Sequence, residues 1–213
     1  MAAVAREVGV EALVNMSQMT VSQMSIQNTT PSPQQRQHWL SEQALAWSGL
    51  PVVTIRPTVF LEGFFLSLTG PTVRERSRIE LPFGRGKTNP VSAADVARVV
   101  AAVLADPGPH LGRIYELTGP QSQNMDGVAR EFSDALNREV TYSDVNPEEW
   151  EQKLKKQGMP EHLTGHLLAM GELHRAGRYE RWADGVQRVT GRPPMSVREF
   201  VLRYAEEFGG RRS

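Results

Sequence analysis

Residues 38–57 read HWLSEQALAWSGLPVVTIRP, and the change of character within this stretch decides the fold class. Leu40, Ala44, Leu45 and Trp47 recur at helical spacing, which predicts a helix over 38–48 with one apolar side. Gly49 ends it. Val52 to Ile55 are then β-branched and closed by Pro57, the pattern of a buried strand. Helix, glycine and buried strand form the α-to-β half of a βαβ unit. The same order stands upstream. Residues 2–8 predict a short helix with Val4 and Val8 on one face, Gly9 a left-handed stop, and VEALVNM (10–16) a strand interrupted by Glu11 and Asn15. Two such units in series predict a parallel sheet and an α/β fold class.

Between the two units, residues 17–37 (SQMTVSQMSIQNTTPSPQQRQ) are rich in Ser, Gln, Thr and Pro with no period, and read as a long loop. A loop of this length in a compact domain often covers a site; the alternative is a disordered segment. Asn28-Thr29-Thr30 fits a glycosylation pattern that matters only in a secreted protein.

Downstream, Ser92 and Asp95 make a capping box for a helix over 92–105, whose core stripe is Val96, Val99, Val100, Val103 and Leu104. Residues 113–119 (RIYELTG) follow as a strand, and 125–136 as a helix turning Val128, Phe132 and Leu136 inward. VTYSDV (140–145) reads as a further short strand. Asn146-Pro147-Glu148-Glu149 opens the next helix with a cap, a first-position proline and a third-position acid. Residues 161–176 predict a helix ended by Gly177. Ser196 to Glu199 caps the last one, with Phe200, Val201, Tyr204 and Phe208 inward. The organisation expected is therefore an α/β portion over 1–120 and a mainly helical lobe over 121–213, within one structural unit.

Lysine plus arginine and aspartate plus glutamate number 24 each. Zero net charge gives no electrostatic reason to expect a nucleic acid or an anionic membrane as partner. Cysteine is absent, which excludes disulfides, thiolate zinc sites, iron–sulfur clusters and cysteine nucleophiles, and suits a reducing cytoplasm. No apolar stretch approaches the roughly 18 residues of a membrane helix. Arg6, Glu7 and Glu11 make the N-terminus a poor signal peptide. A cytoplasmic protein with a small-molecule substrate is expected.

Four stretches resemble NmrA-like proteins, a family of atypical short-chain dehydrogenases/reductases. GVEALVNMS (9–17) is similar to the family's fifth strand. HWLSEQALAWSGLPVVTIRPTVFLEGFF (38–65) is similar to its helix with a late Glu followed by SG-L-P and T-x-x-RP-x-x-F. NPVSAADVARVVAAVLADPGPHLGRIYELTGPQ (89–121) is similar to its DVA…Y-x-L-TGP segment, and VTGRPPMSVREFV (189–201) to its TGR-x-P…F helix. The resemblance implies the C-terminal half of a Rossmann-like NAD(P)-binding sheet with a mostly helical substrate lobe. It also implies a reductase acting with NADP or NAD, NADP being preferred, on a small carbonyl, quinone or imine. The other implications are a non-catalytic NAD(P)-sensing or protein-interaction module, or a truncated form unable to bind the cofactor.

Two features depart from the family. No G-x-x-G-x-x-G phosphate turn occurs, so by the resemblance residue 1 would stand just before the fifth strand. Three strand–helix units of about 30 residues each, on the order of 90 residues, would be missing. The strand at 10–16 would then offer an open apolar edge, a route to a homodimer. Second, counting back from Glu42, Gln34 and His38 stand where ordinary short-chain dehydrogenases carry Tyr and Lys. Glutamine cannot serve as a phenol does, so any chemistry would rest on hydride geometry more than on a proton relay.

The resemblance places His38 beside the nicotinamide ribose as the catalytic orienting group; the alternative is a surface histidine under the polar loop. Pro57, Thr58 and Val59 follow a strand at its carboxyl end, where open α/β sheets hold ligands. Ser17 and Gln18, after the other strand, would border the same cofactor cleft. Phe60, Phe64 and Phe65 read either as an aromatic wall for substrate or as helix core, and Arg56 as structural. Gly84 to Thr88 (GRGKT) is not a P-loop: position 81 is Leu and Asn89-Pro90 follows, so the stretch reads as a turn. His162 and His166 share a helix face at i, i+4 but lack an intervening Glu and a third ligand. No metal is expected, and that helix would instead line the substrate lobe. Residues 74–78 (RERSR) read as a solvated face.

Overall fold

The computed structural model describes residues 2–210; the tail Arg211-Arg212-Ser213, expected to fray, lies outside the described residues. Helix α1 (Ala2–Glu7) runs into Gly9, which stops it at φ +66, and then into strand β1 (Leu13–Met16). Helix α2 (Pro33–Trp47) returns to strand β2 (Val52–Pro57), which lies parallel to β1 with Leu13 opposite Val52 and Met16 opposite Ile55. Strand β4 (Ile114–Leu117) adds to the other side of β2, again parallel, with Ile55 opposite Tyr115. The sheet order is β1-β2-β4, so β1 is an edge.

The predicted α/β class with parallel strands is the observed one, and the local details show where burial overrode pattern. Val4 and Val8 are exposed and α1 buries Ala5 instead. Helix α2 starts at Pro33, not at 38. The start signal is present in the sequence, a Ser32 cap and a first-position proline, but the polar residues around it disguise a first turn that carries no apolar stripe. The loop is therefore 17–32, and it contains a 3-10 turn over Met19–Gln23. The apolar side of α2 faces outward, with Leu40 at 58% and Trp47 at 82% exposure. Gln35 and Glu42 are its buried residues. Glu42 is drawn in by Arg56 of β2, whose guanidinium reaches both carboxylate oxygens at 3.0 and 2.5 Å.

Along β2, successive side chains take opposite faces. Val53 and Ile55 turn to a core shared with Tyr115 and Leu117 of β4, with Val96, Val99 and Val103 of α4 (Ala93–Ala105), and with Val186 of α8 (Gly185–Thr190). Ser92 caps α4 by accepting from the Asp95 amide. Leu104, counted in its stripe, is exposed, because it lies about 100° around the helix from Val103, which the core buries.

A second core begins where β2 ends. Leu61 and Phe65 flank and join a π-helical segment (Glu62–Leu68), which the apolar run of 59–66 did not announce. Helix α3 (Gly70–Arg76) and strand β3 (Arg78–Leu81) follow. β3 pairs in parallel with β5 (Thr141–Asp144) in a separate two-stranded sheet. Helices α5 (Met125–Leu136), α6 (Pro147–Lys156), α7 (Glu161–Arg175) and α9 (Val197–Arg203) surround this core. Residues 59–83 thus pack with 125–208, while Val186 packs with the first sheet, so the two cores interleave along the chain rather than dividing at residue 120. No described helix is long and apolar enough to cross a membrane.

Candidate functional site

The carboxyl ends of β1 and β2 open into a cavity of about 280 Å³, just below the range of roughly 300–1,000 Å³ for small-molecule sites. One wall is the chain leaving β1, Met16 to Thr20. Facing it is the chain leaving β2, Pro57 to Phe60, with Gly63 and Phe64 of the π-helical segment. Gln34 and His38 reach in from α2, one turn apart. His166 and Met170 of α7, together with Tyr179, close the far side. Eight of the residues singled out in the sequence, His38, Ser17, Gln18, Pro57, Thr58, Val59, Phe60 and Phe64, line this one cavity. Phe65 does not: it is 1% exposed and rests 5.5 Å from Phe132 in the second core.

The polar content of these walls is unusual in being unpaid by the protein itself. Ser17 Oγ, Gln18 Nε2, Thr20 Oγ1 and Thr58 Oγ1 are all sealed from solvent without a hydrogen-bond partner. A buried polar group left unpaired costs roughly 1–3 kcal/mol, and side-chain rotation at these four positions would turn donors and acceptors toward a ligand in the cavity and relieve that cost. Such a set fits an amide and the hydroxyls of a ribose, which offer both senses of hydrogen bond. Among the described residues, no Asp, Glu, Lys or Arg lines the cavity.

The cavity's histidines are held as neutral bases. Burial pulls the His38 imidazole below its usual value, against the opposing pull of Glu42 one turn along α2. Burial also lowers His166, and the neighbouring His38 lowers it further. His166 Nδ1 lies 2.8 Å from Ser32 Oγ, so the residue that caps α2 also touches the far wall. Its i, i+4 neighbour His162 is exposed. Tyr179 is buried, and its phenol is raised well above its ordinary range by burial. It accepts from Gln35 Nε2 at 3.4 Å and stacks on His174 at 4.0 Å, which stacks on Phe83 at 3.8 Å.

The covering loop is tied down from the other lobe. Arg181 donates to Met19 O (3.1 Å) and Ser22 Oγ (2.6 Å) while forking onto both oxygens of Glu116. Arg178 donates to Gln23 Oε1 at 2.6 Å. Thr20, Met170 and Tyr179 were not legible as site residues. Thr20 sits in an aperiodic loop, and Tyr179 lies between helices, where no spacing marks it. His166 did carry a signal, its pairing with His162 on a helix face.

Comparison with known proteins agrees with this architecture. No family model matches the chain. An NAD(P)H azoreductase of Xenophilus azovorans is 34% identical over 183 residues, 84% of this chain and 62% of the azoreductase. A new type of NADPH-dependent quinone oxidoreductase from Escherichia coli superposes with a TM-score of 0.83 at 23% identity, over 96% of this chain and 71% of that one. The chain has their Rossmann-like fold. NmrA, a negative transcriptional regulator solved in complex with NADP, is also similar, with a TM-score of 0.73 at 17% identity over 97% of this chain and 68% of that one. The chain thus spans a little over three fifths of the azoreductase it matches.

Proposed function

We propose that the chain is an NmrA-like, atypical short-chain dehydrogenase/reductase. In this reading it binds a nicotinamide dinucleotide, NADP in preference to NAD, and reduces a small uncharged carbonyl or quinone-type substrate. The observation that carries the reading is the group of unpartnered polar atoms on Ser17, Gln18, Thr20 and Thr58 at the carboxyl ends of two adjacent parallel strands, where open α/β sheets hold ligands. The azoreductase, the quinone oxidoreductase and the NADP complex of NmrA support the choice of ligand class.

The cofactor, when bound, supplies the hydride. The chain's own residues do the rest. Pro57, Thr58 and Val59 form the shelf for the nicotinamide, with the Thr58 and Ser17 hydroxyls and the Gln18 amide holding its carboxamide and ribose. His38, neutral at physiological pH, orients the ribose or the substrate. Phe60, Phe64, Met19 and Met170 give the apolar faces that exclude water and accept a planar substrate. The absence of charged side chains from the lining selects against ionic substrates.

A second reading, a non-catalytic sensor, is favoured by one feature: Gln34 and His38 stand where a Tyr–Lys pair would relay protons in ordinary short-chain dehydrogenases. Titration with NADPH and NADH, followed by nucleotide fluorescence and thermal shift, tests both. Saturable binding with turnover of a quinone supports the reductase, and binding without turnover of any carbonyl, quinone or azo compound supports the sensor. No binding at millimolar nucleotide refutes both.

A further inference from the structure

Ser32 and His166 are 134 residues apart and meet at 2.8 Å in a buried contact. Their protonation follows from counting. Ser32 is 0% exposed, and its Oγ already accepts from the Gln35 amide at 3.3 Å. Its own proton has one acceptor among the described residues, His166 Nδ1. If His166 donated instead, the Ser32 proton would be buried without a partner, at a cost the alternative avoids. Ser32 O–H therefore donates to Nδ1, and in the neutral ring the proton is on Nε2. No described group bonds to Nε2, and it is not among the unpartnered atoms sealed from solvent, as His174 Nε2 is. His166 also lines the cavity. The result is one N–H donor, fixed in sense by a hydroxyl behind it, on the wall opposite the strand ends.

We infer that His166 is a catalytic residue, whose Nε2–H holds and polarises the acceptor oxygen of the substrate, and that Ser32 is the positioning residue that fixes its tautomer. The inference rests on the reductase reading for the word catalytic, but the recognition of a carbonyl oxygen stands on this wall alone. The strand-end wall holds four unpartnered polar atoms suited to a cofactor. The α7 wall offers His166 and the apolar Met170, and Phe64 lines the same cavity from the π-helical segment, a lining that suits a planar ring bearing one or two carbonyl oxygens. A neutral imidazole donates without giving up a proton, so it stabilises charge developing on that oxygen while staying a fixed dipole.

The test uses the full chain without nucleotide and a matched pair of probes. Tetramethyl-1,4-benzoquinone carries two carbonyl oxygens; 1,2,4,5-tetramethylbenzene has the same methyl pattern and none. The wild type is expected to bind the quinone about five- to tenfold more tightly, the scale of one hydrogen bond. His166→Leu is expected to lose that preference while keeping its affinity for the hydrocarbon, and His166→Gln, which retains an N–H at a similar reach, to keep part of it. Nitrogen-15 spectra of the imidazoles give a second readout. His166 is expected as the Nε2–H tautomer in the wild type and in Ser32→Thr, and as a tautomer mixture in Ser32→Ala. A wild type that holds both probes equally, or neither, overturns the inference, as does an Nδ1–H tautomer. The reductase reading falls separately, if the quinone preference stands and NADPH does not bind.

Discussion

Thr58 shows how one residue serves a ligand at the expense of the fold. Its hydroxyl is buried at the end of β2 with no partner in the protein, so removing it should relieve the chain and harm the site together. Thr58→Val is expected to raise stability by about 1 kcal/mol and to weaken NADPH about tenfold; denaturant midpoints and fluorescence titration measure the two, and a parallel loss of both would show an ordinary structural threonine. His174 makes the complementary point about charge. Sandwiched between Phe83 and Tyr179, it is pushed by burial from 6.5 down to about 3. The unfolded chain therefore takes up a proton there below about pH 6.5 that the folded chain refuses until about pH 3, so stability falls as pH drops through that window. His38 and His166 are shifted in the same direction and add to the effect. Urea midpoints compared at about pH 7 and about pH 5 should show this loss, and His174→Phe, which keeps the stack, should show less of it. An equal loss in the variant would place the acid sensitivity elsewhere.

At the scale of elements, the covering loop is held more by its partners than by its own sequence. Residues 17–32 have no apolar period, yet the 3-10 turn over Met19–Gln23 is fixed by Arg178 and Arg181 from the segment after α7, with Glu116 of β4 orienting Arg181. Because both side chains are partly exposed, the ion pair alone is worth little; its value lies in tying one cavity wall to the other. Arg181→Met is expected to leave global stability within about 0.5–1 kcal/mol of wild type. Amide exchange over Met19–Gln23 should rise about fivefold or more, reporting local opening. Unchanged protection there would mean the loop is held by burial of Met19 and Val21 instead.

For the molecule as a whole, the edge strand and the surface area bear on assembly. The accessible surface is 11275 Å², against about 9,800 Å² for a compact monomer of this length. Val4, Val8, Met16, Leu40 and Trp47, from α1 and the turn that follows it, β1 and α2, are among the exposed large apolar side chains. The predicted homodimer would cover such surface through the open edge of β1. Light scattering on a size-exclusion column is expected to show a dimer that dissociates on dilution, and a monomer at every concentration would remove edge pairing from the account.

Elements with strong local signals were legible in the sequence. β2, α4, α5, α6 and the capped start of α9 follow from caps, prolines and apolar spacing, because each is specified within a dozen residues. The same is true of the strand-end residues Ser17, Gln18 and Pro57 to Val59, since a parallel sheet of either length delivers them to one edge. Tertiary structure alone decided the rest. It drew Glu42 of α2 inward to meet Arg56, leaving Leu40 and Trp47 outside. It paired β3 with β5 across 60 residues of chain, and it brought His166 and Tyr179 to face His38. These are contacts between distant segments, each fixed by which surfaces are left to bury once the local elements exist, and no local pattern encodes that choice.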